Sequence, residues 1–442
     1  MKLISSPGRP LQGTAALPGD KSLSHRAALF AALAEGESCI ENFLVSGVTH
    51  AMLKALAALG VSWQLKDSSL TVQGRGFRGL QPPAAHLDCG NSATTIRLLA
   101  GALAAAGVPA VLDGSPGLRR RPMERIVEPL LQMGVLIQAE DGRAPLSLQA
   151  SRFPLRALDY TLPVASAQIK TCLLLAALAG DGATILREPG LSRDHTERML
   201  GSMGVSVTRE KLNGSQQIMY EIRLMPPKPL GLKPIILSLP GDFSSAAFLI
   251  IAALITPGSR LTLKQVGLNP GRTGLLDALL AMGARIQITA QSTRNSEPVG
   301  DLIVHHSRLH ATQVKGEQVA RMIDELPVFA IAAAFADGTT TVKDAAELRH
   351  KESDRIAALC QELGALGVNS VEYPDGFSIQ GTGSLRGGTV KSHNDHRLAM
   401  SLAVAGLAAQ EPITIQDAEI ISESFPGFAA TMQTLGVNLD FV

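Results

Sequence analysis

The chain alternates between short polar segments and helices rich in alanine and leucine, and this pattern occurs six times. The copies read DKSLSHRAALFAALAEG, GNSATTIRLLAGALAAAG, ASAQIKTCLLLAALAG, GDFSSAAFLIIAALITPG, DELPVFAIAAAFADG and NDHRLAMSLAVAGLAA. Because these helices are apolar on nearly all sides, we predict that they are buried.

A second element recurs in step with the first and predicts a helix that ends at a glycine before a strand. Its copies are LKALAALGVSW, VEPLLQMGVLI, TERMLGSMGVSV, LDALLAMGARI, CQELGALGVNS and MQTLGVNLDFV. Each glycine occupies the position of a helix C-cap, and β-branched or alternating apolar residues follow it. Together the two elements indicate a repeated βαβαββ unit of roughly 70 to 80 residues.

Six units in 442 residues predict two domains of three units each. We expect an N-terminal lobe of residues 15–239 and a C-terminal lobe of residues 1–14 and 240–442. The irregular stretch Pro226–Pro234 lies just before the boundary. The strand predicted at Lys2–Ser5 is expected to complete a sheet of the C-terminal lobe, so that the chain crosses between the lobes twice.

Charge and composition exclude several classes of protein. With 40 basic and 39 acidic residues the net charge is +1, so the chain lacks the global field of a nucleic-acid-binding protein. The four cysteines have no metal-ligand spacing and are expected to be reduced thiols. The N-terminal stretch has no apolar targeting segment, and the apolar runs are too short to span a bilayer. These features predict a cytoplasmic protein that does not enter the membrane.

The polar segments carry the candidate chemistry, because a helix N-terminus leaves backbone N–H groups unpaired and attracts anions. In the first segment Lys21 is at the cap, and Ser22 and Arg26 share one helical face. Several guanidinium and ammonium groups follow later in the chain, which suits a ligand with several phosphates or carboxylates. The fourth segment, GDFSSAAF, has no ionic group besides Asp242, and we assign it a structural role only.

Two other motifs are judged not to be functional sites. GRGFRG, from Gly74 to Gly79, matches a dinucleotide-binding pattern, but LQPPAAH follows it where that motif requires a helix. His393, Asp395 and His396 could be metal ligands, but no second cluster supports them. We therefore predict no cofactor and no metal.

Seven motifs, in one order from residue 18 onward, resemble the 5-enolpyruvylshikimate-3-phosphate synthase family. They are PGDKSLSHR, GNSATTIR, RRRPM, SAQIK, SRDHTE, LRHKESDR and NDHRLAM. The resemblance implies an α/β fold, a two-domain inside-out α/β barrel in which each domain has three βαβαββ repeats around buried helices. It also implies a monomer that transfers the enolpyruvyl group of phosphoenolpyruvate to the 5-hydroxyl of shikimate 3-phosphate, in a cleft between the domains.

The resemblance assigns roles to individual residues. Shikimate 3-phosphate would be bound by Lys21, Ser22, Arg26, Ser166, Ala167, Gln168, Arg193, Asp324 and Lys351. Phosphoenolpyruvate would be bound by Lys21, Asn91, Ala93, Arg121, Gln168, Glu352, Arg355 and Arg397. Asp324 would be the base for the hydroxyl, and Glu352 together with Lys21 would handle the proton at C3 of phosphoenolpyruvate. The division between Glu352 and Lys21 stays open.

Two positions depart from the family pattern. Many members have NAGTA where this chain has NSATT, so Ala93 replaces a glycine beside phosphoenolpyruvate. The added methyl group should crowd glyphosate, which is longer than the substrate, and it predicts a glyphosate-tolerant enzyme of the second class on which glyphosate is a weak inhibitor. Many members have a lysine where this chain has Glu423, so one expected phosphoenolpyruvate contact is absent.

Two alternatives stay open at this point. A related enolpyruvyl transferase acts on UDP-N-acetylglucosamine and usually has a cysteine in the loop before the RP dipeptide, whereas the loop in this chain reads DGSPGLRRRP. A non-catalytic homologue that binds anions is the other alternative, and the presence of Lys21, Asp324 and Glu352 argues against it.

Overall fold

The computed structural model describes residues 1–212 and 218–442, which fold into two compact units. The N-terminal unit contains Gly19–Leu239 and Arg294–Glu297, and the C-terminal unit contains Met1–Pro18, Pro240–Thr293 and Pro298–Val442. Residues 15–18, which we expected in the N-terminal lobe, lie in the C-terminal unit. The reason is that the strand Gln12–Ala16 pairs in parallel with Arg260–Lys264 of that unit.

Strands and helices are interspersed along the chain, and each type is numbered from the N-terminus. The strands are β1 (Lys2–Ser6), β2 (Gln12–Ala16), β3 (Glu35–Glu41), β4 (Ser62–Lys66), β5 (Ser69–Arg75), β6 (Leu87–Asp88), β7 (Ala110–Asp113), β8 (Ile137–Glu140), β9 (Arg143–Leu148), β10 (Asp159–Thr161), β11 (Thr184–Pro189), β12 (Ser206–Leu212), β13 (Met219–Met225), β14 (Ile236–Ser238), β15 (Arg260–Gly267), β16 (Arg285–Arg294), β17 (Glu297–His305), β18 (Gln313–Val314), β19 (Thr339–Val342), β20 (Asn369–Tyr373), β21 (Gly376–Gln380), β22 (Gly388–Lys391), β23 (Ile413–Gln416) and β24 (Asn438–Phe441). The α-helices are α1 (Lys21–Leu33), α2 (Gly47–Ala58), α3 (Ala93–Ala106), α4 (Pro116–Arg119), α5 (Glu124–Gln132), α6 (Ala167–Ala177), α7 (His195–Ser202), α8 (Phe243–Ile255), α9 (Gly274–Ala281), α10 (Glu317–Met322), α11 (Leu326–Ala334), α12 (Arg355–Ala365), α13 (His396–Gly406) and α14 (Phe428–Thr434). Three 3₁₀ helices cover Phe77–Gly79, Ala346–His350 and Ala418–Glu423.

The described strands form six four-stranded sheets, three in each unit. Those of the N-terminal unit have the orders β14-β3-β5-β4, β6-β7-β9-β8 and β10-β11-β13-β12, and those of the C-terminal unit β16-β17-β15-β2, β18-β19-β21-β20 and β22-β23-β1-β24. Every sheet contains one parallel pair, such as β10 with β11, and its remaining neighbours seen in register are antiparallel. The predicted α/β fold of two units with three βαβαββ repeats each is confirmed.

Two sheets of the C-terminal unit take a strand from the start of the chain. Strand β1 lies between β23 and β24, with Leu3 opposite Ile415 on one side and Phe441 on the other. Strand β2 pairs with β15. The prediction that the first strand completes a sheet of the C-terminal lobe is therefore confirmed.

The six alanine-rich and leucine-rich helices form the interior of the units, as their composition predicts. They are α1, α3 and α6 in the N-terminal unit and α8, α11 and α13 in the C-terminal unit, and every residue of α8 is buried. Small residues allow these helices to approach closely. A Cβ atom at Gly101 of α3 would lie 2.1 Å from the carbonyl oxygen of Cys172 in α6.

A second type of helix, which packs with one face on a sheet, ends at each of the six glycines predicted as helix ends. All have φ between +84° and +96°, the left-handed conformation that favours glycine: Gly60, Gly134, Gly204, Gly283, Gly367 and Gly436. After α2 the N–H of Val61 donates to the carbonyl of Leu56 at 3.0 Å, which is the Schellman arrangement. The predicted helix ends are confirmed at these glycines.

Among the helices of residues 1–212 and 218–442, not one combines the length and the apolar character that a membrane span requires.

Candidate active site

In the N-terminal unit the three buried helices begin at side chains that cap their first turns. The carboxylate of Asp20 accepts from the N–H of Leu23 at 2.8 Å, and the hydroxyl of Ser92 accepts from Thr95 at 3.1 Å. Ser166 caps α6 in the same way. A capping side chain accepts from only some of the unpaired backbone N–H groups in the first turn. The remaining N–H groups and the positive end of the helix dipole can therefore attract an anion at each of these three N-termini.

Arg26 ties the start of α1 to the start of α6. Its side chain is 1% exposed, and its Nε and Nη2 atoms donate to the hydroxyls of Thr196 and Thr171, both at 2.8 Å. Nη2 also donates to the carbonyl of Ala167 at 3.3 Å, and Nη1 donates to the carbonyl of Ser22 at 3.0 Å. Burial and, after it, the positive charge of the nearby Arg193 lower the pKa of Arg26 to about 10. Most N–H groups of the Arg26 side chain therefore bond α1 to α6 and α7 within the N-terminal unit.

His25 connects the start of α1 to the start of α3. Its Nδ1 lies 2.8 Å from the carbonyl oxygen of Lys21, and its Nε2 lies 3.3 Å from the hydroxyl of Ser92. A carbonyl can only accept, so Nδ1 carries the proton and Nε2 accepts from Ser92. Burial lowers the pKa of His25 to about 4, and the charges of Lys21 and Arg26 act in the same direction. The ring is therefore neutral near pH 7.

This buried neutral histidine makes stability depend on pH. An unfolded chain protonates His25 below its ordinary pKa of about 6.5, whereas the folded chain resists protonation until about pH 4. The unfolded state binds more protons in this window, so we expect about 3 kcal/mol of stability to be lost as the pH falls from 6.5 to 4. Urea unfolding followed by the fluorescence of Trp63 measures this loss, and His25→Asn should remove it.

His50 offers a matched control for this prediction. Its Nδ1 also contacts the carbonyl four residues earlier, that of Ser46 at 3.1 Å, but the side chain is less buried. His50→Asn should keep the pH dependence of the native chain. An unchanged pH dependence in His25→Asn would contradict the prediction.

A second network joins α3, α6 and the loop that contains Arg121. The guanidinium of Arg97 donates to Oε1 of Gln168 at 2.5 Å and to the carbonyl of Pro122 at 2.8 Å. Nε2 of Gln168 donates in turn to the hydroxyl of Thr94 at 2.9 Å. Arg97 thus fixes Gln168 and the residue next to Arg121. It lies in a recognised motif, yet the motif alone does not indicate these contacts.

The turn before α3 is held by one further contact, from the hydroxyl of Ser115 to Oδ1 of Asn91 at 2.9 Å. Ala93, the first residue of α3, is 2% exposed. All the site residues expected in the N-terminal unit therefore lie at the starts of its buried helices or on segments bonded to them.

A buried ion triad lies one turn behind this group. Nζ of Lys170 is 2.8 Å from Oε1 of Glu188 and 2.7 Å from Oε1 of Glu197, and the lysine side chain is 0% exposed. Ser192 donates to the other oxygen of Glu188 at 2.5 Å. Burial by itself lowers the pKa of Lys170, but the two carboxylates outweigh it and raise the pKa, whereas burial raises the pKa of Glu197. The triad joins α6, β11 and α7, and so holds together the segments with Gln168 and Arg193.

In the C-terminal unit three cations surround Asp324. Its carboxylate lies 3.7 Å from Nη1 of Arg355, 3.7 Å from Nη2 of Arg397 and 4.0 Å from Nζ of Lys351. The carboxylate is 17% exposed, so it can reach a ligand. Burial lowers the pKa of Lys351, and the charge of Asp324 acts in the opposite direction.

Arg355 links Glu352 to the start of α13. Its Nη2 donates to Oε2 of Glu352 at 2.7 Å, and its Nε donates to Oδ2 of Asp395 at 2.7 Å. Burial alone would lower the pKa of Arg355, but the carboxylates of Asp395 and Glu352 raise it above the ordinary value. Asp395 also caps α13 by accepting from the N–H of Arg397 at 2.9 Å. The five site residues expected in the C-terminal unit are thus brought together around Asp324.

The fourth polar segment, for which we predicted a structural role only, also contacts a candidate site residue. Asp242 pairs with Arg272 at 2.9 Å, and the hydroxyl of Ser244 lies 3.3 Å from Nη2 of Arg397. This segment therefore contacts a residue that the sequence places in the site. The contact joins positions 153 residues apart, and the pattern of the segment itself holds no sign of it.

The remaining candidates have separate contacts. His393 binds Oε1 of Glu362 at 2.6 Å, while Asp395 is engaged with Arg355 and the N-terminus of α13. In residues 1–212 and 218–442 no group of three or more histidine, cysteine or acidic side chains is arranged to hold a metal ion. Glu423 is half-buried at the end of the 3₁₀ helix Ala418–Glu423.

Two units of three βαβαββ repeats around buried helices define an α/β architecture that this chain shares with solved EPSP synthase structures. The family model for EPSP synthase (3-phosphoshikimate 1-carboxyvinyltransferase) matches residues 5–432. The chain belongs to this family, and it is an enzyme of the transferase class.

Individual relatives agree with this assignment. The 3-phosphoshikimate 1-carboxyvinyltransferase of Syntrophomonas wolfei is 48% identical over 438 residues, which are 98% of this chain and 100% of the relative. A solved EPSP synthase from Acinetobacter baumannii is 37% identical with a TM-score of 0.86, and the match covers 100% of both chains. The enolpyruvyl transferase NikO from Streptomyces tendae is 19% identical with a TM-score of 0.78 over 99% of this chain and 98% of its own, a likeness of fold alone.

Proposed function

We propose that this enzyme transfers the enolpyruvyl group of phosphoenolpyruvate to the 5-hydroxyl of shikimate 3-phosphate and releases inorganic phosphate. The observation that carries the proposal is the group around Asp324, in which one accessible carboxylate lies within 4.0 Å of three cations. Family membership and the names of the relatives support the same reaction.

Both substrates are anions, so their approach requires fixed positive groups that water cannot provide at low cost. In the proposal shikimate 3-phosphate binds at the starts of α1 and α6 and to two further cations. These residues are Lys21, Ser22, Arg26, Ser166, Ala167, Gln168, Arg193 and Lys351. Most N–H groups of the Arg26 side chain already donate to acceptors within the protein. Its main contribution to substrate binding is therefore to hold Ser22 and Ala167 in place.

Phosphoenolpyruvate takes the remaining cations, since guanidinium groups match the geometry of phosphate and carboxylate. These are Arg121, Arg355 and Arg397, with Lys21, Asn91, Ala93, Gln168 and Glu352 beside them. Nη1 of Arg355 is buried and has no hydrogen-bond partner in the described part of the chain, so an anionic oxygen of the substrate would satisfy it.

The chemistry is an addition followed by an elimination. Asp324 accepts the proton of the 5-hydroxyl as its oxygen bonds to C2 of phosphoenolpyruvate, and C3 gains a proton through Glu352 and Lys21. The resulting tetrahedral intermediate then loses a proton from C3 and expels phosphate, which restores the double bond. The protein forms no covalent bond to the substrate in this scheme.

A phosphate-release assay tests the proposal and separates it from both alternatives. The native chain should release phosphate from phosphoenolpyruvate when shikimate 3-phosphate is present. Release with UDP-N-acetylglucosamine instead would indicate the related transferase, and no release with either acceptor would indicate a non-catalytic homologue.

We further propose that the enzyme is glyphosate-tolerant because of the methyl group of Ala93, which is 2% exposed at the start of α3. Ala93→Gly should remove the crowding and tighten inhibition by glyphosate about tenfold or more, the scale on which a pocket distinguishes one carbon. The inhibition constant against phosphoenolpyruvate measures the change.

Ala100→Gly, which removes a buried methyl group further along the same helix, is the control and should leave inhibition as it is in the native chain. Equal inhibition of the native chain and Ala93→Gly would refute the proposed tolerance mechanism.

We also propose a cytoplasmic monomer. The four cysteines are free thiols, of the kind kept reduced in the cytoplasm, and burial raises the pKa of Cys172 to about 12 and so keeps that thiol protonated. The precedent of the family and the nearly balanced charge of the chain support the monomer.

A further inference from the structure

The hydroxyl of Ser244 at the start of α8 has a fixed orientation. Ser244 is 4% exposed, and its Oγ lies 2.6 Å from Nη2 of Arg272 and 3.3 Å from Nη2 of Arg397. The same hydroxyl is hydrogen-bonded to Oε1 of Glu325. A hydroxyl has one donor and two acceptor positions, and arginine can only donate. The proton of Ser244 must therefore point at Glu325, and both lone pairs face guanidinium groups.

The hydrogen bonds of the Arg397 side chain go to neutral acceptors. Its Nη1 donates to the carbonyl of Asp324 at 3.1 Å, and its Nη2 donates to Ser244. The carboxylates of Asp324 and Glu325 remain farther away, at 3.7 Å and 3.9 Å. The hydrogen bonds that orient the guanidinium therefore go to neutral acceptors, and both carboxylates lie beyond hydrogen-bond distance.

Glu325 determines the arrangement of this group. It is 1% exposed and directly follows Asp324 in the chain. A buried carboxylate is costly unless it is compensated, and in this group the hydroxyl of Ser244 and the charge of Arg397 compensate it. Without Ser244 the carboxylate would attract Arg397 directly and draw the guanidinium out of its present position.

We propose that Ser244 and Glu325 are positioning residues that set the guanidinium of Arg397 for phosphoenolpyruvate. The inference rests on the proposed function, because it takes phosphoenolpyruvate as the ligand of Arg397. Glu325 fixes the hydroxyl, the hydroxyl fixes the guanidinium, and the substrate then supplies an anionic oxygen at hydrogen-bond distance from Arg397.

Ser244→Ala tests the inference in steady-state kinetics with both substrates. We expect the KM for phosphoenolpyruvate to rise about tenfold, the usual effect of one lost hydrogen bond to a charged group. The KM for shikimate 3-phosphate should stay within about twofold of the native value. Ser244→Thr keeps the hydroxyl and should restore the native KM. Ser245→Ala is the matched control, since Ser245 is equally buried at 4% and belongs to the same helical turn.

Glu325→Gln is the second variant, because its amide oxygen still accepts from Ser244 while the charge is lost. Its KM for phosphoenolpyruvate should rise about threefold, between the native chain and Ser244→Ala. A Ser244→Ala enzyme with the native KM overturns the positioning role, as does an equal rise in both KM values, which would indicate general structural damage.

The failure of the proposed function would look different. A native chain that releases no phosphate refutes the reaction itself. Titration calorimetry with phosphoenolpyruvate, in the presence of shikimate 3-phosphate, then compares the native chain with Ser244→Ala. Weaker binding in the variant supports the positioning role, and equal or absent binding in both overturns it.

Discussion

Replacing Asp324 with asparagine is expected to lower kcat by about 10²–10⁴-fold, the usual contribution of a general base. Asparagine has nearly the same shape as aspartate, but its amide cannot accept the proton of the 5-hydroxyl. Arg355, Arg397 and Lys351 remain in place around it, so both substrates should still bind. Single-turnover phosphate release gives the rate, and calorimetry gives the two affinities.

Asp301→Asn provides a control for this substitution. Its carboxylate is similarly exposed, at 12%, and is paired with Lys264 at 2.7 Å, but it lies outside the candidate site. We expect near-native kcat in this variant. If Asp324→Asn also kept kcat within tenfold of the native value, Asp324 would not be the base.

Replacing Lys170 with methionine is expected to destabilise the N-terminal unit by about 3–5 kcal/mol, because it leaves Glu188 and Glu197 buried without a cation. The unit contains the single tryptophan of the chain, Trp63, whose Nε1 donates to the carbonyl of Leu53 at 2.9 Å. Urea unfolding followed by its fluorescence therefore reports the stability of this unit.

Arg187→Met is the comparison for the buried lysine, since Arg187 adjoins Glu188 on β11. Arg187 pairs with Asp159 and Glu221 at the surface, where such pairs contribute about 0–1 kcal/mol. We expect a loss of about 1 kcal/mol or less. Losses of similar size in the two variants would show that the triad does not stabilise the unit as described.

The architecture could be predicted because it is periodic. Six apolar helices and six glycine-terminated helices recur in register, and each repeat needs the same four-stranded sheet to cover its buried helix. The place of the first strand was predicted as well, and Lys2–Ser6 does complete a sheet of the C-terminal unit between β23 and β24.

The site was predictable only in part. The motifs identify which residue types gather at the helix starts, but they do not show how the donors of each side chain are used. Arg26 is largely committed to Thr171 and Thr196, and Lys170 to a triad. These contacts join residues that are far apart in sequence, so only the folded geometry defines them. For the same reason the pattern around Ser244 indicates a structural role only, and the contact with Arg397 emerges from the fold.

The sheet β22-β23-β1-β24 has a consequence for the order in which the protein can mature. A ribosome makes β1 long before β23 and β24, so β1 stays without its neighbouring strands until both of them have been made. The N-terminal unit lacks this constraint, since Gly19–Leu239 contains every strand of its three sheets. That unit can therefore close while later strands are still being made, whereas the C-terminal unit cannot complete this sheet until β24 has been made.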